Sequence, residues 1–134
     1  MFRIVLIIFI SFQANTSWAG NPYKDSLVSE VMNFGNEEAY TDLFMYLADH
    51  GNAEQIIPYD FIMAYQFNHI PAFENAFWNL HFLYVDEMGR NFSDLKKETQ
   101  KIMMKILKDG KKAGSEKCGK ILRRIKKTGE ASVG

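Results

Sequence analysis

One cysteine, three prolines and no aromatic residue after Phe92 set the first limits on this 134-residue chain. A single thiol excludes a disulfide framework and any zinc site built on cysteines, since both need several sulfurs. With so little proline and only nine glycines, the chain is neither collagen-like nor linker-rich. No segment keeps a strict alternation of apolar and polar residues between turn signals, so no sheet is expected. There is no HExxH, no glycine-rich phosphate loop and no GxSxG elbow. The histidines at 50, 69 and 81 include no pair at the i, i+4 spacing that puts two ligands on one helix face, so no metal site is expected. Neighbouring acids such as Glu37–Glu38 and Asp86–Glu87 point to different sides of a helix and make no ready acid–base pair. The residues therefore offer no catalytic constellation and no cofactor box, and the chain reads as a non-enzyme.

What is present is an ordinary globular composition, 47% hydrophobic and 24% charged. The start is different. Met1-Phe2-Arg3 leads into an apolar run from Ile4 to Phe12 and a small-residue stretch ending Ser17-Trp18-Ala19-Gly20. A basic start, a short apolar core and a small-x-small site describe a secretory signal peptide over 1–19, cleaved near Ala19. The run is well short of the ~20 residues that span a bilayer. The mature chain is thus expected to be exported, periplasmic or secreted, with Cys118 either a small helix-face residue or an intermolecular handle.

The formal charge is zero only as a sum. Between Asn21 and Asp94 there are twelve acids against two bases, Lys24 and Arg90; from Leu95 onward there are four acids against thirteen bases. All fifteen aromatics beyond the signal segment lie between Tyr23 and Phe92. The pattern predicts an acidic, aromatic-rich helical domain over 20–94, followed by a basic amphipathic helical extension over 95–134 whose end is expected to fray.

Within the acidic part the punctuation is helical. Gly35 suits a left-handed residue after one helix and Asn36 an N-cap for the next, with Glu37 and Glu38 in its first turn. Tyr40, Leu43, Phe44 and Leu47 then share one face. Gly51 ends that segment, and Asn52 with Gln55 has the pattern of a capping box. Pro58 and Pro71 suit first helical turns, placing helices near Pro58–Asn68 and Pro71–Met88. The second is apolar nearly all round, with Phe73, Ala76, Phe77, Leu80 and Tyr84 on one face and Trp78, Phe82 and Val85 on others. It is expected to be central. His81 is expected to be buried and hydrogen-bonded, with Glu74 or Asp86 in reach. Met45, Met63 and Trp78 read as core.

Phe34–Leu47 laid over Phe67–Leu80 matches at a constant offset of 33: Phe34 with Phe67, Ala39 with Ala72, Tyr40 with Phe73, Phe44 with Phe77, Leu47 with Leu80. The turn residues Gly35 and Asn68 also align, and both tolerate positive φ. That period is the length of one helix–turn–helix repeat. With Ala39 and Ala72 at the small position of the second helix, the copies resemble tetratricopeptide or Sel1-like repeats. The stretch Ile62-Met63-Ala64 … Phe67-Asn68 … Ala72-Phe73 … Phe77-Trp78 … Leu80 is similar to a pattern in small exported helical proteins of Bacteroidota without an established activity. The resemblance covers about half the chain, residues 24–88. The Trp-Leu-Gly-Tyr signature of tetratricopeptide first helices is absent. The resemblance implies an all-α repeat bundle or solenoid that binds proteins; small size, export and the acidic body suit one specific form, an immunity or inhibitor protein.

Partner-facing candidates, taken off the apolar stripes, are Asp42, Tyr46, Asp49, Asp60 and Tyr65. In the extension, Ser93 and Asp94 can open a helix with Leu95, Ile102, Met103 and Ile106 on one face. A break is expected at Gly110–Gly114, then a second helix from Ser115 carrying Cys118, Ile121, Leu122 and Ile125. Lys96, Lys97, Lys101, Lys105, Lys120, Arg123, Arg124 and Lys127 surround these stripes. They can pack against the acidic body, grip an acidic partner or lie on an anionic membrane surface. Export and the missing aromatics argue against nucleic acid.

Overall fold

Asn21 opens the first helix by accepting hydrogen bonds from the backbone N–H groups of Tyr23 and Lys24 at 3.0 and 3.4 Å. Pro22 follows in the first turn, where its missing N–H costs nothing. The computed structural model describes residues 20–132, all helix and turn, with no strand among the described residues. The signal segment expected over 1–19 lies outside the described residues.

The described chain forms two compact units, residues 20–67 and 68–132. The first holds α1 (Pro22–Phe34), α2 (Glu37–Asp49), a 3-10 turn (Ala53–Ile56) and α3 (Ile57–Phe61), which widens into a π-helical turn (Ile62–Gln66). The second holds α4 (Ile70–His81) with its own π-helical turn (Phe82–Asp86), a 3-10 turn (Phe92–Asp94), α5 (Lys97–Ala113) and α6 (Glu116–Thr128). The division expected from charge at Asp94 falls inside the second unit, where α5 and α6 pack on α4.

Gly35 turns the chain between α1 and α2 at φ 60°, and a Cβ there would collide with the Phe67 ring, so glycine is required twice over. Asn36 caps α2 through the N–H of Ala39 at 3.0 Å. Of the predicted stripe, Tyr40, Leu43 and Leu47 are buried, while Phe44 stays partly exposed. Asn52 makes no capping box: its Nδ2 donates to the His50 carbonyl, and the next turn starts through the backbone bond from Gln55 to Asn52.

The offset of 33 recurs in the backbone. Asn68, at φ 51°, is the one positive-φ residue other than glycine among the described residues, and it occupies the place of Gly35. The helices α2 and α4 begin at Glu37 and Ile70, the same distance apart. Ala39 with Ala72, and Tyr40 with Phe73, are buried in both copies. The copies diverge one turn later, where Phe77 is buried against Phe92 and Phe44 is not.

α4 is not buried all round, because its last turns present Phe82 and Tyr84 to solvent. Its Phe73, Ala76 and Phe77 belong to one buried set with Met103, Ile106 and Leu107 of α5 and Cys118, Ile121, Leu122 and Ile125 of α6. Gly110 does not break α5, which runs on to Ala113 and ends at Gly114 (φ 112°). Ser115 caps α6 by accepting from the Cys118 N–H at 3.1 Å. After α6, the Glu130 carboxylate accepts from the N–H groups of Phe92 and Ser93 and from the Ser93 hydroxyl at 2.8–3.2 Å.

Candidate functional site

The sequence candidates on α2 share a face. Asp42 and Asp49 stand four residues before and three after Tyr46, the spacings that place side chains together on a helix, and both are exposed. Tyr46 is half-buried. Its hydroxyl accepts from the Asn21 Nδ2 at 2.9 Å, and its ring stacks on His50 with centroids 4.1 Å apart. Tyr23 of α1 meets the Tyr46 ring edge-on at 5.9 Å. The remaining exposed arc of α2 carries Glu37, Glu38, Phe44 and Met45, the last two 38% and 53% exposed. Met45 is therefore surface and not core, whereas Met63 is fully buried. Residues 20–67 contain eight acids against the single base Lys24.

Asp60 is not on that surface. It is 0% exposed and accepts a hydrogen bond from the Tyr40 hydroxyl, so it belongs to the interior of the first unit. A buried carboxylate needs such donors, since unpaired burial of a charge is prohibitive. Beside it, burial pushes the Tyr59 phenol up to about 12, with the Asp25 carboxylate adding to the shift. Tyr65 is half-buried, lies in the π-helical turn after α3 and stacks on Phe61 with centroids 6.0 Å apart.

The basic residues divide in two. Lys96, Lys97, Lys101, Lys105, Lys120, Arg123 and Lys127 are exposed, and Lys105 reaches Asp109 at 3.2 Å within α5. Arg124 is half-buried and donates to the Ala131 carbonyl at 2.6 Å, so it fastens the end of the chain. Lys117 of α6 lies 3.6 Å from Glu74 of α4. On α5, Ile102 is 52% exposed between Lys101 and Lys105, off the stripe assigned to it.

His81 is the one buried histidine, 1% exposed. Its Nδ1 lies 3.2 Å from Asp86 Oδ2. That five-residue separation fits the π-helical turn, whose hydrogen bonds run i to i+5, as in Glu87 N–H to Phe82 C=O at 2.9 Å. The ring is surrounded by Phe77, Trp78 and Phe92, and Nε2 has no hydrogen-bond partner. Among the described residues, no group of three His, Cys, Asp or Glu side chains converges to hold a metal ion, and no helix is long and apolar enough to cross a membrane.

Comparison with known proteins finds no matching family model, curated protein or solved structure.

Proposed function

We propose that this chain is an exported, non-enzymatic helical-repeat protein that recognises a protein partner through the acidic face of residues 20–67. The observation that carries this reading is the exposed arc of α2, where Phe44 and Met45 stand in water among Glu37, Glu38, Asp42 and Asp49. An apolar centre in a charged rim is the makeup of a recognition surface, and eight acids against one base favour fast capture of a basic partner. The repeated junction at Gly35 and Asn68 supports the tetratricopeptide or Sel1-like relationship, whose members are generally protein-binding scaffolds. A specific form is an immunity or inhibitor protein that neutralises a basic toxin domain outside the cytoplasm. The burial of His81 among Phe77, Trp78 and Phe92 supports a structural role for that residue.

The test is affinity capture from envelope extract by the wild-type chain and by a Phe44→Glu/Met45→Glu variant. A basic protein held by the first and released by the second supports the reading; equal capture by both removes it. Truncation at Asp94 is no test, because it strips α5 and α6 from the buried set they share with α4. A second reading, a peripheral envelope protein on anionic lipid, rests on Ile102 exposed between Lys101 and Lys105. Salt-sensitive sedimentation with anionic vesicles would favour it.

A further inference from the structure

Three rings at the end of the α1–α2 pair pack in defined geometry without being buried. Tyr23 is 55% exposed and His50 is exposed, yet the Tyr46–His50 planes lie 27° apart and the Tyr23–Tyr46 planes 61° apart. Polar bonds hold the group in place: Asn21 Nδ2 to the Tyr46 hydroxyl at 2.9 Å, and His50 Nδ1 at 2.7 Å from the Tyr46 carbonyl. Asn21 is itself fixed as the N-cap of α1. The result is a preorganised aromatic surface in water, and the exposed Asp42 and Asp49 stand four residues before and three after Tyr46 on the same helix.

Ring faces attract cations and carboxylates accept their N–H groups, so the two features ask for one kind of guest. A guanidinium satisfies both at once. It is planar, stacks on an aromatic face and presents a fork of donors that an ammonium lacks. We infer that Tyr23, Tyr46 and His50, with Asp42 and Asp49, form a seat for an arginine side chain of the protein partner. This deepens the reading of the acidic face as a partner-binding surface and rests on it. Charge complementarity selects the occupant, since the seat lies in a unit whose one base is Lys24.

The experiment titrates the full chain with N-acetyl-arginine amide, its neutral isostere N-acetyl-citrulline amide, and N-acetyl-lysine amide. Aromatic NMR shifts of Tyr23, Tyr46 and His50 are followed at low salt. Saturable shifts at the three rings with the arginine compound are expected, at least threefold weaker with citrulline and twofold weaker with lysine. Asp42→Asn/Asp49→Asn and Tyr46→Leu should each abolish saturation. Tyr46→Phe, which keeps the ring, should retain it, and unchanged methyl shifts of the buried Leu27, Val31 and Leu43 in the same unit would show each variant folded. No saturation with arginine, equal shifts with citrulline or lysine, or indifference to the Asn pair would overturn the assignment. If the seat fails while capture through Phe44 and Met45 succeeds, the partner-binding reading stands without it.

Discussion

Replacing Gly110 by alanine sets two opposed effects against each other. In a solvent-exposed helix the change stabilises by about 1 kcal/mol, because alanine restricts the unfolded chain and suits the helix. At this position an added Cβ would lie 2.7 Å from the Phe73 Cβ and 2.6 Å from the Cys118 Sγ. Ordinary carbon–carbon contacts sit near 3.5–4.0 Å. Phe73 Cβ is bonded to the backbone of α4 and cannot swing aside, so α4 and α5 must part by roughly 1 Å at this point. Overpacking of this kind costs about 1–3 kcal/mol, and here it comes from two sides. Gly110→Ala should therefore destabilise by about 1–2 kcal/mol net, lowering the urea midpoint by about 1 M. Cys118→Ala in the same background removes one of the two clashes and should recover part of the loss, with a coupling of at least ~0.5 kcal/mol. A Gly110→Ala chain as stable as the wild type, or more so, would refute the packing of α5 between Phe73 and Cys118.

Three further outcomes follow from the same geometry. In the folded chain, burial raises the Glu130 carboxyl, but hydrogen bonds from Ser93 and Phe92 and the nearby His81 outweigh it, so its pKa is lowered. Its contribution is thus present above the ordinary carboxylate range and is lost as pH falls through the depressed value. Glu130→Gln should cost about 0.5–1 kcal/mol near neutral pH, since water screens this carboxylate, and flatten the acid limb of a stability–pH curve. His81→Phe keeps a ring among Phe77, Trp78 and Phe92 and removes the unpartnered Nε2, but it also removes the Nδ1 contact to Asp86, so it should cost about 1 kcal/mol, less than the ~2–4 kcal/mol of His81→Ala. Burial raises the Cys118 thiol, the Ser115 hydrogen bond lowers it less, and Glu74 raises it again. A thiol reagent should react with Cys118 only in denaturant, and non-reducing gels should show no disulfide-linked dimer.

The junctions were legible because their chemistry is local. Gly35, Asn36, Pro58, Pro71 and Ser115 mark turns and caps through their own backbone preferences, and the spacing of Cys118, Ile121, Leu122 and Ile125 declares a buried face within two turns. The contacts that close over distance were not legible. Asp60 looks like a surface acid until Tyr40, twenty residues earlier, supplies its donor. Glu130 finds Phe92 and Ser93 across nearly forty residues. Gly110 reads as a helix breaker in a polar context, and only its neighbours reveal a point of close approach. The buried set of α4 was not legible from charge, since α5 and α6 are basic on their outer faces while their apolar stripes complete it. At the candidate surface, Asp42, Tyr46 and Asp49 were visible as one helix face. His50, four residues after Tyr46, is legible from the same helical spacing, whereas Tyr23 is not, because α1 must fold back before Tyr23 meets Tyr46.

The most direct measurement of the central claim is capture from envelope extract by the wild-type chain and by Asp42→Lys/Asp49→Lys, each at low and raised salt, with retained proteins identified and the folding of both chains checked by circular dichroism. The account predicts a basic protein held stoichiometrically by the wild type and lost from the reversed variant. Retention of the same protein by both, or capture that depends on Lys101 and Lys105 instead, would contradict it.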